Sequence, residues 1–356
     1  MPRYYQAKEK IIELIDGSDY KIGDKLPTEK ELSKQLDVSL ITTRRALSDL
    51  ATEGIIKKEW GKGVYINTIP RTPSVKKGRI ALTVLHGSQN LQHPAVLTLF
   101  NGLGEVCIQN KYSLEVIFIT EEMIHKSDYS EIAHREDLNG IVFAVQEADK
   151  ASLEKIKRTI PNIIFICRSN ISPVLIFDYE DATKQIMEHL FHLGHRNIAL
   201  LGGAKGTEIS NEIETTYKKY LKKESMPVRN NLIKYGNYSI QGGFETACTL
   251  PFKQENISAI IAGDDNIALG ALQAIRKNGM NCPKDVSLCS FNDFLEAKLS
   301  NPPLTSVRIP FYNIAADAGK KLIRMIEGKD IEDHSRIKGE LIKRESTTSI
   351  MNLIQS

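Results

Sequence analysis

The chain has 356 residues, 41% of them hydrophobic and 26% charged, with a formal net charge of +3. That length exceeds what one ordinary core accommodates and suits a small module beside a large one, while the apolar content excludes a mainly disordered chain. The near-neutral balance leaves any nucleic-acid role to the local placement of charge. Cys107, Cys167, Cys248, Cys282 and Cys289 show no paired spacing, and an odd number fits a reducing, cytoplasmic compartment better than a disulfide framework. The opening MPRYYQAKEK lacks the apolar core of a leader peptide. No run approaches the ~20 apolar residues of a membrane span, so no membrane partner is expected.

In chain order, residues 1–66 read as three helices and a hairpin. Thr28-Glu29-Lys30-Glu31 is a capping box opening a helix that turns Leu32 and Leu36 inward. The next helix begins after Val38 with Ser39 as its cap, and Thr43, Ala46, Leu47 and Leu50 fall on one apolar stripe. Its other face gathers Ile41, Arg44, Arg45 and Ser48. Arginines beside hydroxyls and an apolar residue suit guanine edges, phosphates and thymine methyls in a major groove. After Gly54, IIKKEWGKGVYIN alternates around Gly61-Lys62-Gly63, which predicts a hairpin wing offering Lys62 and backbone amides to phosphates or a minor groove.

Exposed arginines alone are as readily a solvated surface; the wing turns the reading towards double-stranded operator DNA. Residues 1–70 carry 12 Lys/Arg against 11 Asp/Glu, so affinity depends on how charge is sorted within the module. The candidate DNA-binding residues are Thr28, Lys30, Ser39, Ile41, Thr42, Arg44, Arg45, Gly61, Lys62 and Gly63. Residues 67–79, with Pro70, Pro73 and Gly78, read as a linker. Its Arg71, Lys76, Lys77 and Arg79 are a charged tether, with added phosphate contacts as the second reading.

From Ile80 on, apolar runs alternate with helical patterns: RIALTVL, SLEVIFI, GIVFAV, NIIFIC, NIALLGG, AIIAG and VSLCSF. Such a rhythm predicts βαβ units and an α/β architecture with parallel sheet. No internal repeat is evident. Open α/β sheets bind ligands beyond the carboxyl ends of their strands, so the polar residues that follow strands are the candidates.

Two resemblances attach to these segments. LPTEKELSKQLDVSLITTRRALSDLATEGIIKKEWGKGVYI resembles the winged helix-turn-helix of the GntR family along its full length. The likeness implies DNA contacts at Lys30, Thr42, Arg44 and Gly61, although Leu40 stands where an arginine is common. EHLFHLGHRNIALLGG, SAIIAGDDNIALGALQAIRKNG, CPKDVSLCSFND, PPLTSVR and IKRESTT resemble the effector domain of the LacI/GalR family. That implies a type I periplasmic-binding-protein fold: two Rossmann-like lobes, about 80–175 with 309–338 and about 176–308 with 339–356, joined by three crossovers. A GntR head on such a body is the arrangement of the arabinose-repressor subgroup.

The candidate effector-binding residues are His86, Ser88, His93, Arg168, Asn211, Asp264 and Asn292. Asp264 and Asp265 are both able to cap the helix that follows, and Asp265 is given the cap. Amide and carboxylate look exchanged at Asp264 and Asn292 relative to the family, and Ile213 stands where an arginine is usual, so an anion clamp is absent there. A neutral pentose or deoxyhexose such as arabinose or fucose is expected, with a phosphorylated sugar or another small metabolite as the alternative.

His189, His192 and His195 are read as structural rather than as a zinc site. GGAKGT lacks the ending of a phosphate loop, so no cofactor is expected. The expected function is a ligand-controlled repressor acting as a homodimer on paired half-sites, with the direction of coupling open. A sugar-modifying enzyme would need a nucleotide loop and a catalytic acid. An exported binding protein is opposed by the head.

Overall fold

In the computed structural model the described residues are 3–16, 20–68, 77–85, 93–126, 128–133, 135–144, 150–166, 171 and 173–350. The chain divides into two compact units, Met1–Lys77 and Gly78–Ser356.

The first unit is built on short amphipathic helices. Helix α1 (Arg3–Asp16) buries Ala7, Ile11 and Ile15, spaced four residues apart on one face. Helix α2 (Glu29–Gln35) starts at the expected box: Thr28 accepts from the Glu31 amide, and the Glu31 carboxylate accepts from the Thr28 amide at 2.7 Å. Helix α3 (Leu40–Thr52) is capped by Ser39 and buries Thr43, Ala46, Leu47 and Leu50, the expected stripe. Strands β1 (Ile56–Glu59) and β2 (Gly63–Ile66) pair antiparallel and close the core with Ile56 and Ile66.

Glu59 lies opposite Gly63, leaving Trp60-Gly61-Lys62 as the turn, closed by a Lys62 amide to Glu59 carbonyl bond of 3.0 Å. Gly61 has φ +73°, the sign a type II turn requires at its third position.

The second unit holds two six-stranded sheets. The first contains β3 (Gly78–Leu85), β4 (Tyr112–Ile119), β5 (Gly140–Phe143), β6 (Ile163–Ile166), β7 (Val174–Phe177) and β13 (His334–Ile337), in the order β13-β7-β6-β5-β3-β4. The second contains β8 (Ile198–Gly202), β9 (Ile233–Tyr235), β10 (Ala259–Ala262), β11 (Ser287–Asn292), β12 (Thr305–Arg308) and β14 (Glu340–Ile342), in the order β14-β12-β11-β10-β8-β9. Numbered by position within each sheet, both read 6-5-4-3-1-2. The two lobes repeat one topology that the sequence does not display as a repeat. All pairs are parallel except β12 with β14.

Helices cover the sheet faces, including α4 (Pro94–Gln109) and α13 (Phe311–Ile326) in the first lobe. In the second lobe α8 (Tyr179–His192), α9 (Glu208–Lys223), α10 (Ile240–Cys248) and α11 (Asp265–Lys277) do the same. Gly270 is required where α11 meets α10, since a Cβ there would lie 2.2 Å from the Ile240 carbonyl oxygen. The chain passes between lobes three times: at Asp178, at Ile309–Pro310, and at Lys338–Gly339.

One detail differs from expectation. Arg79 is not part of a tether: it lies within β3 and its guanidinium meets Asp137 at 3.0 Å, because the β-ladder begins at Gly78 opposite Tyr112. Arg71 and Lys76 lie outside the described residues.

Replacing Thr28 by Ala leaves the amides of the first turn of α2 without their side-chain acceptor. The unfolding free energy of the head should fall by about 1 kcal/mol in urea titrations of the full chain. An unchanged midpoint would show that the box contributes nothing.

Candidate effector cleft and nucleic-acid interface

Within the head, the face opposite the buried stripe of α3 presents Ile41, which is 80% exposed, with Arg44 and Arg45 beside it. Arg44 is held by Glu29 of α2 at 2.6 Å, and Arg45 lies 4.0 Å from the centroid of the Tyr4 ring on α1. Both guanidiniums are preset by neighbours while staying exposed, so most of their donors face outward. Thr42 donates its amide to Ser39 and its hydroxyl lies 2.7 Å from the Ser39 hydroxyl; Lys30 is exposed as the second residue of α2. At the wing, Lys62 is exposed and Gly61 and Gly63 take positive φ. The ten candidate residues thus come from α2, α3 and the wing tip of a single small unit.

The cleft lies where the rule for open sheets puts it. In both lobes the chain reverses between the first and third strands, β3 and β5 in one, β8 and β10 in the other. Leu85, Ala144, Gly263 and Asp264 sit at the carboxyl ends of these strands and line a cleft of about 220 Å³. That is smaller than the ~300–1,000 Å³ of drug-sized sites and suits a compact ligand.

The polar groups converge from opposite walls. His93 caps α4, its Nδ1 accepting from the Ala95 amide at 3.4 Å, which leaves the proton on Nε2. Nε2 faces Asp264 Oδ2 at 3.5 Å, across the boundary between lobes. The separation is long for a hydrogen bond, and donor and acceptor confront each other where a hydroxyl, being both, can bond to each. Asn292 ends β11 on the cleft wall with φ +100°, a strained conformation of the kind that collects at binding sites.

Asp264, not Asp265, is the helix cap: its Oδ1 accepts from the Ile267 amide at 2.8 Å. Asp265 turns inward instead. Its Oδ1 accepts from the hydroxyls of Ser290 (2.5 Å) and Ser306 (2.9 Å), and its Oδ2 from the Phe294 amide (2.8 Å). The residue before the first helical turn has the extended backbone a cap needs, φ −157° at Asp264, whereas Asp265 is already helical. Burial outweighs these three donors and pushes the Asp265 carboxyl up to about 7. Asp293, next to Asn292, is likewise buried, held by Arg308 at 2.8 Å and Arg344 at 2.6 Å.

Of the other expected effector residues, Asn211 is not brought to the cleft. It is exposed on α9 and donates to the Gly206 carbonyl at 3.2 Å, because the cleft-facing position of that helix is Ile209. Ile213, one turn on, is buried in the core rather than standing at a vacant anion site. His86, Ser88 and Arg168 lie outside the described residues. The histidines have packing roles: His189 faces Thr347, and His195 accepts from Ser258 and donates to the Thr348 carbonyl at 2.9 Å. Burial lowers His189 to about 4.

Sequence reasoning missed three aromatic residues of the cleft, Tyr179, Tyr238 and Phe311. Each stands two or three residues after a strand, β7, β9 and β12, that was not among the strand-like runs read from the sequence, so the same rule would have found them. Phe311 stacks on Phe294 at 5.6 Å, and Phe294 meets the His93 ring edge-on at 5.4 Å.

Residues 3–66 match the family model for bacterial regulatory proteins, gntR family, and residues 187–347 match that for the periplasmic binding protein-like domain. The chain thus carries a segment similar to the gntR-type winged helix and, in its second unit, one similar to the periplasmic-binding-protein-like domain. The arabinose metabolism transcriptional repressor of Geobacillus stearothermophilus is 25% identical over 98% of this chain and 99% of its own length. Catabolite control protein A of Priestia megaterium is 29% identical over 55% of this chain and 60% of its own. Among solved structures, the transcriptional regulator CelR–cellobiose complex covers 94% of each chain at 19% identity with a TM-score of 0.68. A lac repressor dimer bound to operator and an anti-inducer covers 77% of this chain and 96% of its own at 22% identity, TM-score 0.66. The arabinose metabolism protein, the lac repressor and CelR are by name transcriptional repressors or regulators. Among the described residues no helix is long and apolar enough to cross a membrane.

Two outcomes test this geometry. Asp264→Asn retains a capping oxygen and should cost no more than a few tenths of a kcal/mol, while Asp264→Ala should cost about 1 kcal/mol of unfolding free energy. For Asp265, a folded value near 7 against an ordinary 3.8 means that its contribution to stability is complete below about pH 4 and lost as pH rises through 7. Denaturation free energies across that window should therefore fall more steeply for the native chain than for Asp265→Asn, by up to roughly 4 kcal/mol. Parallel curves would remove Asp265 as the titrating group.

Proposed function

We propose that this chain is a sugar-responsive transcriptional repressor whose head binds operator DNA and whose cleft takes a small neutral sugar. The observation that carries the reading is the His93–Asp264 pair facing across the lobe boundary inside a compact cleft. A ligand whose hydroxyls engage both walls binds the closed arrangement better than the open one, which is what a coupling free energy requires. The full-length similarity to an arabinose metabolism repressor supports the same assignment.

A neutral ligand is favoured over a phosphorylated one because, among the described residues, neither Lys nor Arg lines the cleft. Val96, Leu99 and Ile209 instead supply apolar surface, with Tyr179, Tyr238 and Phe311 able to lie against the carbon face of a sugar ring. A pentose or deoxyhexose such as arabinose or fucose has the size and the bare carbon edge for this. Operator binding then runs through Arg44, Arg45 and the wing, and two heads on paired half-sites call for a homodimer. Exposed Leu97, Phe100 and Ile108 on α4, and Leu295 and Leu299 on the short helix Leu295–Leu299, offer apolar surface for that pairing. A cytoplasmic location accords with such a role.

A thermal-shift screen against neutral pentoses, hexoses, deoxyhexoses and their phosphate esters tests the cleft, since a ligand of the native state raises apparent stability. A neutral sugar should register, and His93→Ala and Asp264→Asn should each weaken it roughly 5–100-fold. A response confined to phosphate esters would overturn the neutral assignment. Arg44→Ala with Arg45→Ala should abolish duplex binding with sugar affinity unchanged; loss of both together would point to misfolding.

A further inference from the structure

Trp60 is the one tryptophan of the chain, and it stands fully exposed at the tip of the wing. Nothing in the head's core needs it there: the hairpin is held by its ladder, by Ile56 and Ile66, and by the turn glycine. A large aromatic side chain left entirely in water forgoes the burial such residues normally provide, and this one sits among exposed cations. Lys57 and Lys62 flank it, both more than half exposed, and both share Glu59 at 3.3 and 3.7 Å. Lys25 lies alongside, close enough that a Cβ on Gly63 would meet its Cε at 2.6 Å.

We propose that Trp60 is a base-reading residue of the wing, placed in the minor groove beside the half-site and selecting A·T over G·C pairs there. This rests on the head's proposed role in DNA binding. The hairpin follows α3 after only three residues, so a helix seated in the major groove carries the wing to the adjoining phosphate ridge and the groove beyond it. Lys25, Lys57 and Lys62 supply the phosphate contacts that hold the tip at that ridge.

The chemistry then fixes the preference. An indole is a flat apolar plate with a single N–H donor and no acceptor. In a minor groove only ~6 Å wide, A·T and T·A pairs present acceptors alone, which the donor satisfies. A G·C pair adds the guanine amino group, a donor that meets the indole with nothing to accept it and fills the groove floor. A narrow A·T-rich groove also carries the enhanced negative potential that the surrounding lysines favour.

Selection from a random-sequence duplex pool, run in parallel on the full chain and on W60A and W60F, tests this. The native chain should enrich a half-site core flanked by A·T pairs. W60A should enrich the same core without the flanking preference and bind the native-selected duplex about tenfold more weakly. W60F, which keeps the plate but loses the donor, should recover part of the affinity and little of the preference. Because Trp60 is the sole tryptophan, adding the selected duplex should also shift or quench the native chain's tryptophan emission. Identical pools and affinities for native and W60A, or an emission unchanged at saturation, would overturn the proposal. Failure of the native chain to enrich any sequence would instead sink the DNA-binding reading itself.

Discussion

A buried carboxyl organises the effector lobe. Asp265 gathers hydroxyls from β11 and β12 and the amide of Phe294 onto the first residue of α11. Removing such a partner strands several buried polar groups at once, so the arrangement is held by the cost of its loss more than by the strength of any one bond. It also fixes what surrounds it. With Asp265 turned inward, Asp264 is left to cap the helix with one oxygen and to face the cleft with the other. With the Phe294 amide tied down, the Phe294 ring stands against both Phe311 and His93.

The cleft is therefore continuous with its own support. A ligand pressing on Phe311 or separating His93 from Asp264 acts on groups one bond removed from Asp265. The same segment leads into the helix bearing the exposed Leu295 and Leu299. Named contacts thus run from the cleft wall through Phe294 to that surface helix, a continuous path that the proposed coupling between ligand and operator would use.

Much of this was legible in the sequence because local rules settle it. The box at Thr28, the cap at Ser39 and the stripe from Thr43 to Leu50 are short-range patterns. So are the seven apolar runs, found at the strands β3, β4, β5, β6, β8, β10 and β11. What was not legible depended on tertiary partners. Strands β7, β9, β12, β13 and β14 are three or four residues long and gain their identity from neighbours in the ladder. With them went Tyr179, Tyr238 and Phe311. Two adjacent aspartates look alike on paper, and both are buried; which one caps and which turns to the strand hydroxyls was decided by serines 25 and 41 residues away. Asn211 has the right chemistry on the wrong face, an error of helical phase that the buried position of Ile213 makes plain.

The three passages between lobes have a consequence of parity. A chain that crosses an odd number of times ends on the side opposite its start. The body begins in β3 of the first lobe and finishes against the second, where Ser346 accepts from the Thr305 amide and donates to the Leu288 carbonyl. The described start of the body, at Gly78 in β3, thus belongs to one lobe, and the described segment around Ser346 packs on the other. Any rotation of one lobe against the other would change the distance between these two points of the chain.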